Sequence, residues 1–363
     1  MRNIVKKTTL VSSLVLALSA NSMYAQSFEW ISSTEGNTWQ KSKAKLQTNA
    51  AQTPILDVSG SEEGTVFKAW GTCFNELGWD ALNMLPRKEQ ETILHKLFSP
   101  EGELRFTMGR FSMNANDYAR DWYSCDEVPG DFQLKYFNIN RDKTTLIPFI
   151  KAAQQYNPNM TFWMSPWSPP SWMKINHYYS VRSDRNQNQM SPLSDVALFE
   201  GSKEKNTKVF PQQLAVNDYF IQDPRYLQTY ANYFCKFIDA YKQQGIAISM
   251  VMFQNESWSY TNYPGCAWTA EGIIRFNTEY LAPTLKKQHP EIKLYLGTIN
   301  TNRYDVIDQV LSDPRMPETI QGVGFQWEGG QILPKLRAKY PQYKYVQTES
   351  ECGWGSFDWK AAE

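Results

Sequence analysis

The chain has 363 residues, a formal net charge of zero and an aromatic content of 14%, with 13 tryptophans. This length suits a large barrel with an appendage better than one small domain. Without net charge the protein has no field that attracts nucleic acid or an acidic membrane surface, so neither is an expected partner. Many aromatic residues lie beside proline, glycine, asparagine or serine in predicted loops. There they either stack on the apolar faces of sugar rings or only anchor the loops.

The N-terminus has the pattern of a secretory signal peptide over residues 1–25. Basic residues precede an apolar run over 10–18, and small or polar residues lead to a predicted cleavage after Ala25. No later run reaches the about 18 apolar residues of a transmembrane helix, so stable membrane insertion is not expected. The sequence therefore predicts a secreted or periplasmic protein.

Residues 26–62 and 63–363 have different patterns. The first part predicts short strands, at 27–31 and 51–58, of a small β-rich side domain. In the second part, β-prone segments alternate with helical patterns, as is typical of an α/β fold with a parallel sheet. The predicted strands are 66–72, 104–111, 161–165, 246–253, 293–296, 322–325 and 343–346. The predicted helices are 88–98, 145–156, 224–244, 269–288 and 307–311.

A closed TIM barrel requires one strand more than these seven. We therefore expect a catalytic barrel over 63–363 that is truncated before its eighth strand. Open strand edges predict that the 363-residue chain aggregates or unfolds without cooperativity. The polar stretch 180–206 predicts a long loop that either shapes a binding site or only belongs to the surface.

Two glutamates end β-prone segments, Glu256 after Phe-Gln-Asn and Glu349 after Gln-Thr. Barrel enzymes place their chemistry at the C-terminal ends of the strands. Two carboxylates facing each other across a barrel mouth suit glycoside hydrolysis, where one protonates the leaving oxygen and the other attacks or activates water. Asn255 is suited to donate to the 2-hydroxyl of the sugar. Either glutamate alone would be interpreted as a surface acid, but the pair favours a hydrolase.

These two segments, with 109–113, 116–118, 131–134 and 165–174, resemble glycoside hydrolase family 30. That family includes the glucosylceramidases and the endo-β-1,6-glucanases. The resemblance runs from about Trp70 to Gly355. It implies a retaining mechanism on a (β/α)8 TIM barrel with a small β-sandwich side domain formed by both chain ends. We expect the C-terminal part of that sandwich to be missing here.

The resemblance implies the roles of the two glutamates and their neighbour. Glu256 would be the acid/base, Glu349 the nucleophile and Asn255 the contact to the 2-hydroxyl. Glu351 lies two residues beyond Glu349 on the same side of a strand, so it remains the alternative nucleophile. The Thr-Glu pair matches the family better at Glu349.

The resemblance also implies a set of substrate-binding residues. Asp117 and Trp167 would hold the sugar in the −1 subsite. Arg110 would lie under the mouth and either position a carboxylate or form a structural salt bridge. After the sixth strand, Gln326 would contact the nucleophile, and Trp327 would either line the site or only pack.

The five cysteines and three histidines are scattered and give no metal-ligand spacing, no catalytic triad and no cofactor motif. No cofactor and no metal is therefore predicted. Cys235 lies in an apolar helical pattern and is expected to be a buried thiol. Cys73 and Cys125 are left open as a disulfide pair or as free thiols.

The sequence thus predicts a secreted retaining β-glycosidase that acts on a β-glucan, an oligosaccharide or a glycoconjugate. The alternative is an inactive or carbohydrate-binding fragment of such an enzyme. Linkage, natural substrate and endo or exo action stay open.

Overall fold

The computed structural model describes residues 28–34, 36–44, 68–181, 217–259 and 261–350. The chain divides into two compact units, and the larger one runs from Lys68 to Glu351. Several predicted features lie outside the described residues: the signal peptide, the strand at 51–58, most of the loop 180–206, and Glu351.

The described part of the smaller unit is an antiparallel hairpin. Strand β1 (Phe28–Thr34) pairs with β2 (Asn37–Ala44), and Gly36 lies in the turn with a φ of +85°. A residue without Cβ adopts this backbone conformation at no steric cost. The hairpin overlaps the strand predicted at 27–31, and the separate small antiparallel sheet is confirmed.

The larger unit contains a parallel sheet of seven strands in the order of the chain, which is the repeat of a TIM barrel. The strands are β3 (Gly71–Phe74), β4 (Met108–Ser112), β5 (Thr161–Ser165), β6 (Ile248–Met252), β7 (Lys293–Ile299), β8 (Gly322–Phe325) and β9 (Lys344–Gln347). Every neighbouring pair is parallel. The α/β barrel class is therefore confirmed.

Helices connect the strands, and their positions follow the predicted patterns with three additions. They are α1 (Glu76–Asn83), α2 (Arg87–Phe98), α3 (Leu146–Tyr156), α4 (Pro224–Gln243), α5 (Ala270–Arg275), α6 (Ala282–Gln288), α7 (Tyr304–Leu311), α8 (Met316–Thr319) and α9 (Leu333–Lys339). The predicted helix 269–288 changes to a π-helix at Phe276–Leu281. Helices α1, α8 and α9 were not predicted from the sequence.

The side chains of β5 show how the sheet separates two layers of core. Phe162 and Met164 belong to the large apolar cluster under the helices, whereas Trp163 belongs to a small inner cluster with Met250 and Tyr295. Successive residues of a strand point to opposite faces, so these alternate positions are expected. Trp163 pairs in register with a polar residue of β4, Arg110, which is buried in the same barrel interior.

The cysteines of the described residues are all free thiols. Cys73 and Cys125 do not form the disulfide that the sequence left open, and Cys125 instead accepts a hydrogen bond from the Asn114 amide at 3.0 Å. Cys235 is buried in α4, as predicted from its apolar helical pattern.

Gly297 is a position where the backbone of β7 comes close to the segment after β6. The register of β7 shifts between Leu296 and Thr298, and a Cβ at Gly297 would collide with the carbonyl oxygen of Gln254. We expect Gly297→Ala to lower the free energy of unfolding by roughly 1–3 kcal/mol in a urea titration, because backbone atoms must move.

Gly330→Ala is the matched control for Gly297→Ala. A Cβ at Gly330 meets no atom within 4 Å. Its free energy of unfolding should stay within about 0.5 kcal/mol of the parent value. Equal losses in the two variants would show that the close approach at Gly297 is not a packing constraint.

Candidate active site

The predicted site residues gather at one end of the parallel sheet, because all its strands end there. Arg110 lies on β4, and the loop after β4 carries Asp117. The other residues follow strand ends: Trp167 after β5, Asn255 and Glu256 after β6, Gln326 and Trp327 after β8, and Glu349 after β9.

The buried guanidinium of Arg110, only 4% exposed, connects three of these strand ends. Its Nη1 donates to Oε1 of Glu349. Its Nη2 donates to Oδ1 of Asn255 at 2.7 Å and to Oγ of Ser165 at 3.0 Å. Donation to a carboxylate and to two neutral oxygens uses the planar fork of arginine, which a lysine does not offer. Arg110 therefore positions Glu349 and Asn255 relative to each other.

Two tryptophans pack against the faces of the Arg110 guanidinium. Its central carbon lies 4.8 Å from the ring centre of Trp163 and 4.4 Å from that of Trp167. Both rings are buried. Such cation–π contacts favour a desolvated cation, so Trp167 contributes to the fixed position of Arg110.

Glu256 is held by neutral donors. Its carboxylate accepts from the Tyr263 hydroxyl at 2.8 Å and from the Gln326 amide at 3.0 Å, and its backbone N–H donates to Oγ1 of Thr298 at 3.0 Å. The pKa of Glu256 is raised to about 7, chiefly by burial and also by the negative charge of Glu349, while the two donors oppose the rise. A carboxyl with this pKa exchanges its proton near neutral pH.

Asn255 has a fixed amide orientation. Its Oδ1 accepts from Arg110 and also from Oγ1 of Thr298 at 2.8 Å. Its backbone N–H donates to the carbonyl of Pro166 at 2.7 Å. Since Oδ1 is the acceptor in both contacts, Nδ2 is the side on which Asn255 donates.

Glu349 differs from Glu256 in its partners. Besides Arg110 at Oε1, its Oε2 accepts from the indole N–H of Trp327 at 3.2 Å, and its side chain is 31% exposed. Trp327 has a φ of +51°, and Glu256 has one of +48°. Such values are uncommon for residues other than glycine, so the chain turns sharply at both strand ends.

Asp117 lies exposed near the two glutamates, and its charge acts on both. The pKa of its carboxyl is raised to about 6, chiefly by loss of water around it, and also by Glu349; the backbone hydrogen bond and Arg110 oppose the rise. Since this pKa lies below 7, the Asp117 carboxyl is mostly ionised at neutral pH.

Gln326 contacts a different glutamate from the one expected. The sequence predicted a contact with Glu349, whereas its Nε2 donates to Glu256. Its Oε1 accepts from Oγ1 of Thr348 at 3.0 Å, which fixes the amide orientation. Trp327, the next residue, makes the contact with Glu349 instead.

Two site residues were missed in the sequence. Tyr263 lies in the loop after β6, and nothing in that loop predicts which aromatic residue turns towards Glu256. Thr298, on β7, contacts both Asn255 and Glu256. Its position near the end of a β-prone segment was a usable signal, because barrel strand ends carry functional groups.

A family-wide sequence model described as "Glycosyl hydrolase family 30 TIM-barrel domain" matches residues 67–188 and 218–362. The chain belongs to this family. The resemblance stated from its motifs is thereby confirmed, and so is the class of the fold.

Curated relatives include glucosylceramidases and glucanases. Putative glucosylceramidase 4 of Caenorhabditis elegans is 26% identical over 92% of this chain and 62% of its own length. Lysosomal acid glucosylceramidase of Mus musculus is 25% identical over 82% of this chain and 52% of its own length. Endo-1,6-beta-D-glucanase neg1 of Aspergillus fumigatus is 24% identical over 69% of this chain and 47% of its own length. The chain therefore spans about half of the length of these relatives.

Solved structures share the fold. The endo-beta1,6-glucanase BT3312 superposes with a TM-score of 0.70 at 20% identity, over 92% of this chain and 67% of that chain. SrfJ from Salmonella typhimurium superposes with a TM-score of 0.62 at 22% identity, over 79% of this chain and 58% of that chain.

The raised pKa of Glu256 predicts a pH-dependent effect on stability. The folded-state pKa of about 7 lies above the ordinary 4.5. Between these values the folded state holds a proton that the unfolded state has released, so this group makes the fold less stable as pH rises. We expect Glu256→Gln to increase the free energy of unfolding by roughly 1–3 kcal/mol more at pH 8 than at pH 5.

The exposed Glu103, whose side chain is 70% exposed, provides the control. Urea titrations of Glu103→Gln at the same two pH values should differ from the parent by less than about 0.5 kcal/mol. If Glu256→Gln gives the same gain at both pH values, the carboxyl does not carry the raised pKa.

Proposed function

We propose that this chain is an exported retaining β-glycosidase that hydrolyses β-glucosidic bonds by double displacement. The main support is the difference between the two glutamates. Glu256 is half-buried among neutral donors with a pKa of about 7, while Glu349 contacts the Arg110 cation. Two neighbouring carboxyls with different environments divide the acid and nucleophile roles.

In the first step, Glu349 attacks the anomeric carbon and forms a covalent ester with the sugar. The glycosidic bond breaks, and the proton of Glu256 goes to the departing oxygen. In the second step, Glu256, now ionised, takes a proton from water while the water oxygen replaces Glu349 at the same carbon. Two inversions retain the β configuration.

The remaining residues hold the sugar or the carboxylates. Nδ2 of Asn255 would donate to the 2-hydroxyl, because its Oδ1 already accepts from Arg110 and Thr298. Asp117 and Trp167 would form the −1 subsite with Trp327 at its edge. Arg110 would act through Glu349 rather than on the sugar, since it is buried beneath the carboxylate.

A glucosyl substrate is supported by what the relatives are named for, glucosylceramide and β-1,6-glucan. The substrate would be a β-glucan, an oligosaccharide or a glycoconjugate. Export follows from the pattern of residues 1–25. Among the described parts of the chain, no helix has the length and apolarity needed to cross a membrane.

Replacing the glutamates singly should separate their roles on aryl β-glucosides. Glu349→Ala should abolish turnover of every substrate. Glu256→Ala should slow the hydrolysis of substrates with poor leaving groups by about 10²–10⁴-fold. It should slow the hydrolysis of activated aryl β-glucosides much less, because their leaving groups need little protonation. Azide should restore part of the Glu256→Ala rate and give a β-glucosyl azide, which NMR identifies.

The exposed Glu318→Ala serves as the control and should keep full activity. Binding of oligosaccharide without turnover by the parent would favour the carbohydrate-binding alternative. An α-configured first product in the NMR time course would exclude retention.

A further inference from the structure

Lys174 is a completely buried lysine, at 0% exposure, with no carboxylate paired to it among the described residues. Its Nζ donates to the carbonyl oxygens of Tyr179 and Gly265, each at 2.6 Å. The Ser180 carbonyl at 3.3 Å and Oγ of Ser168 at 3.4 Å complete a shell of four oxygens. This is an arrangement for an ammonium ion, because an ammonium has only donors to offer.

The four oxygens around Lys174 favour its charged form. A neutral amine would direct its lone pair at one of them, whereas Oγ of Ser168 already donates to the carbonyl of Pro169. Burial lowers the pKa of Lys174 to about 7, and the nearest titratable groups, Cys266 and Glu127, only partly oppose this. The oxygen shell replaces part of the solvation that burial removes.

Lys174 joins two segments, 179–181 and 261–265, which we call the loop pair. The Gly265 N–H donates to the Tyr179 carbonyl, and the Val181 N–H donates to the Thr261 carbonyl, each at 3.1 Å. Ser180 and Pro264 form an antiparallel bridge between the same segments. The first segment follows β5 and the second follows β6, so the loop pair spans two neighbouring strand ends.

The second segment carries Tyr263, the residue that donates to Glu256. The carbonyl of Tyr263 accepts from Oγ1 of Thr261 at 3.0 Å, and its hydroxyl reaches Glu256 at 2.8 Å. Gly265, two residues further on, is fixed by Lys174. The position of the hydroxyl therefore depends on a segment that the ammonium anchors.

We propose that Lys174 is a positioning residue: by binding carbonyls of both segments of the loop pair with one ammonium, it holds the Tyr263 hydroxyl against Glu256. The proposal rests on the proposed function for its kinetic readout. Its structural readout does not depend on turnover.

The proton equilibrium of Glu256 tests the proposal. The groups that act on this carboxyl are Tyr263, Gln326, Glu349 and Asp117. Tyr263→Phe removes a donor that lowers the pKa of Glu256. In the pH profile of kcat/KM, the apparent pKa of the basic limb should therefore rise by roughly 0.5–1 pH unit. Lys174→Met should move it in the same direction. The double variant should shift no further than Tyr263→Phe alone, because both changes remove one contact.

Two measurements apply even if the chain turns over no substrate. A ¹³C carboxyl titration, assigned with Glu256→Gln, should show the same rise in the pKa of Glu256 in both single variants. Hydrogen exchange at the Val181 and Gly265 amides should quicken in Lys174→Met but not in Tyr263→Phe. If the proposed function is wrong but the role of Lys174 is right, turnover will be absent while the titration and exchange changes are still observed.

Lys236→Met is the matched control. Lys236 also donates to a carbonyl, that of Leu134 at 2.6 Å, but it is exposed and lies on α4. It should leave both the titration of Glu256 and the exchange of the loop pair unchanged. If Lys174→Met does not fold, Lys174→Gln keeps a donor and should shift the titration in the same direction.

A lower melting temperature of Lys174→Met or Lys174→Gln with an unshifted Glu256 titration would overturn the proposal. It would show that Lys174 only stabilises the fold. Additive shifts in the double variant would also overturn it, since they would require Lys174 to act on Glu256 by a route other than Tyr263.

Discussion

The arrangement of the site depends on the Arg110 cation inside the barrel. Arg110 lies on β4 and Glu349 follows β9, the second and seventh strands of the sheet order. A contact between them therefore crosses the barrel interior rather than following the sheet, and it requires the sheet to be curled. The same guanidinium holds Asn255 after β6. A buried charge that loses its partner is strongly destabilising, so the curl of the sheet and the geometry of the site are maintained together.

This constraint makes the two glutamates different. Glu349 contacts a cation fixed by strand residues, and its carboxylate also accepts from the indole N–H of Trp327. Glu256 instead contacts Tyr263 and Gln326, and its pKa rises because burial is not offset by a cation. The pKa of the proposed acid, Glu256, thus lies near neutral pH because within the described residues this carboxyl has no contact like that of Glu349 with Arg110.

The strands and the two glutamates were predictable because each depends on local pattern: a β-prone run followed at once by a carboxylate. The partner of Gln326 was not, because it depends on the sharp turn at Trp327, whose φ is +51°. Tyr263 was missed since a loop has no period that aims a side chain. The state of Cys73 and Cys125 depends on the distance between strand β3 and the loop after β4, which spacing along the sequence does not give.

The two buried cations divide the site into a rigid and an adjustable half. Arg110 is a strand residue whose acceptors lie on or directly after strands, so its position follows the register of the sheet. Lys174 binds carbonyls of loops, and the hydroxyl of Tyr263 depends on them. Loops change conformation at lower free-energy cost than paired strands. Changes in the loops should therefore alter the protonation of Glu256 while leaving Glu349 and Arg110 in place. The pKa of the acid/base can then change in the same barrel without moving the nucleophile.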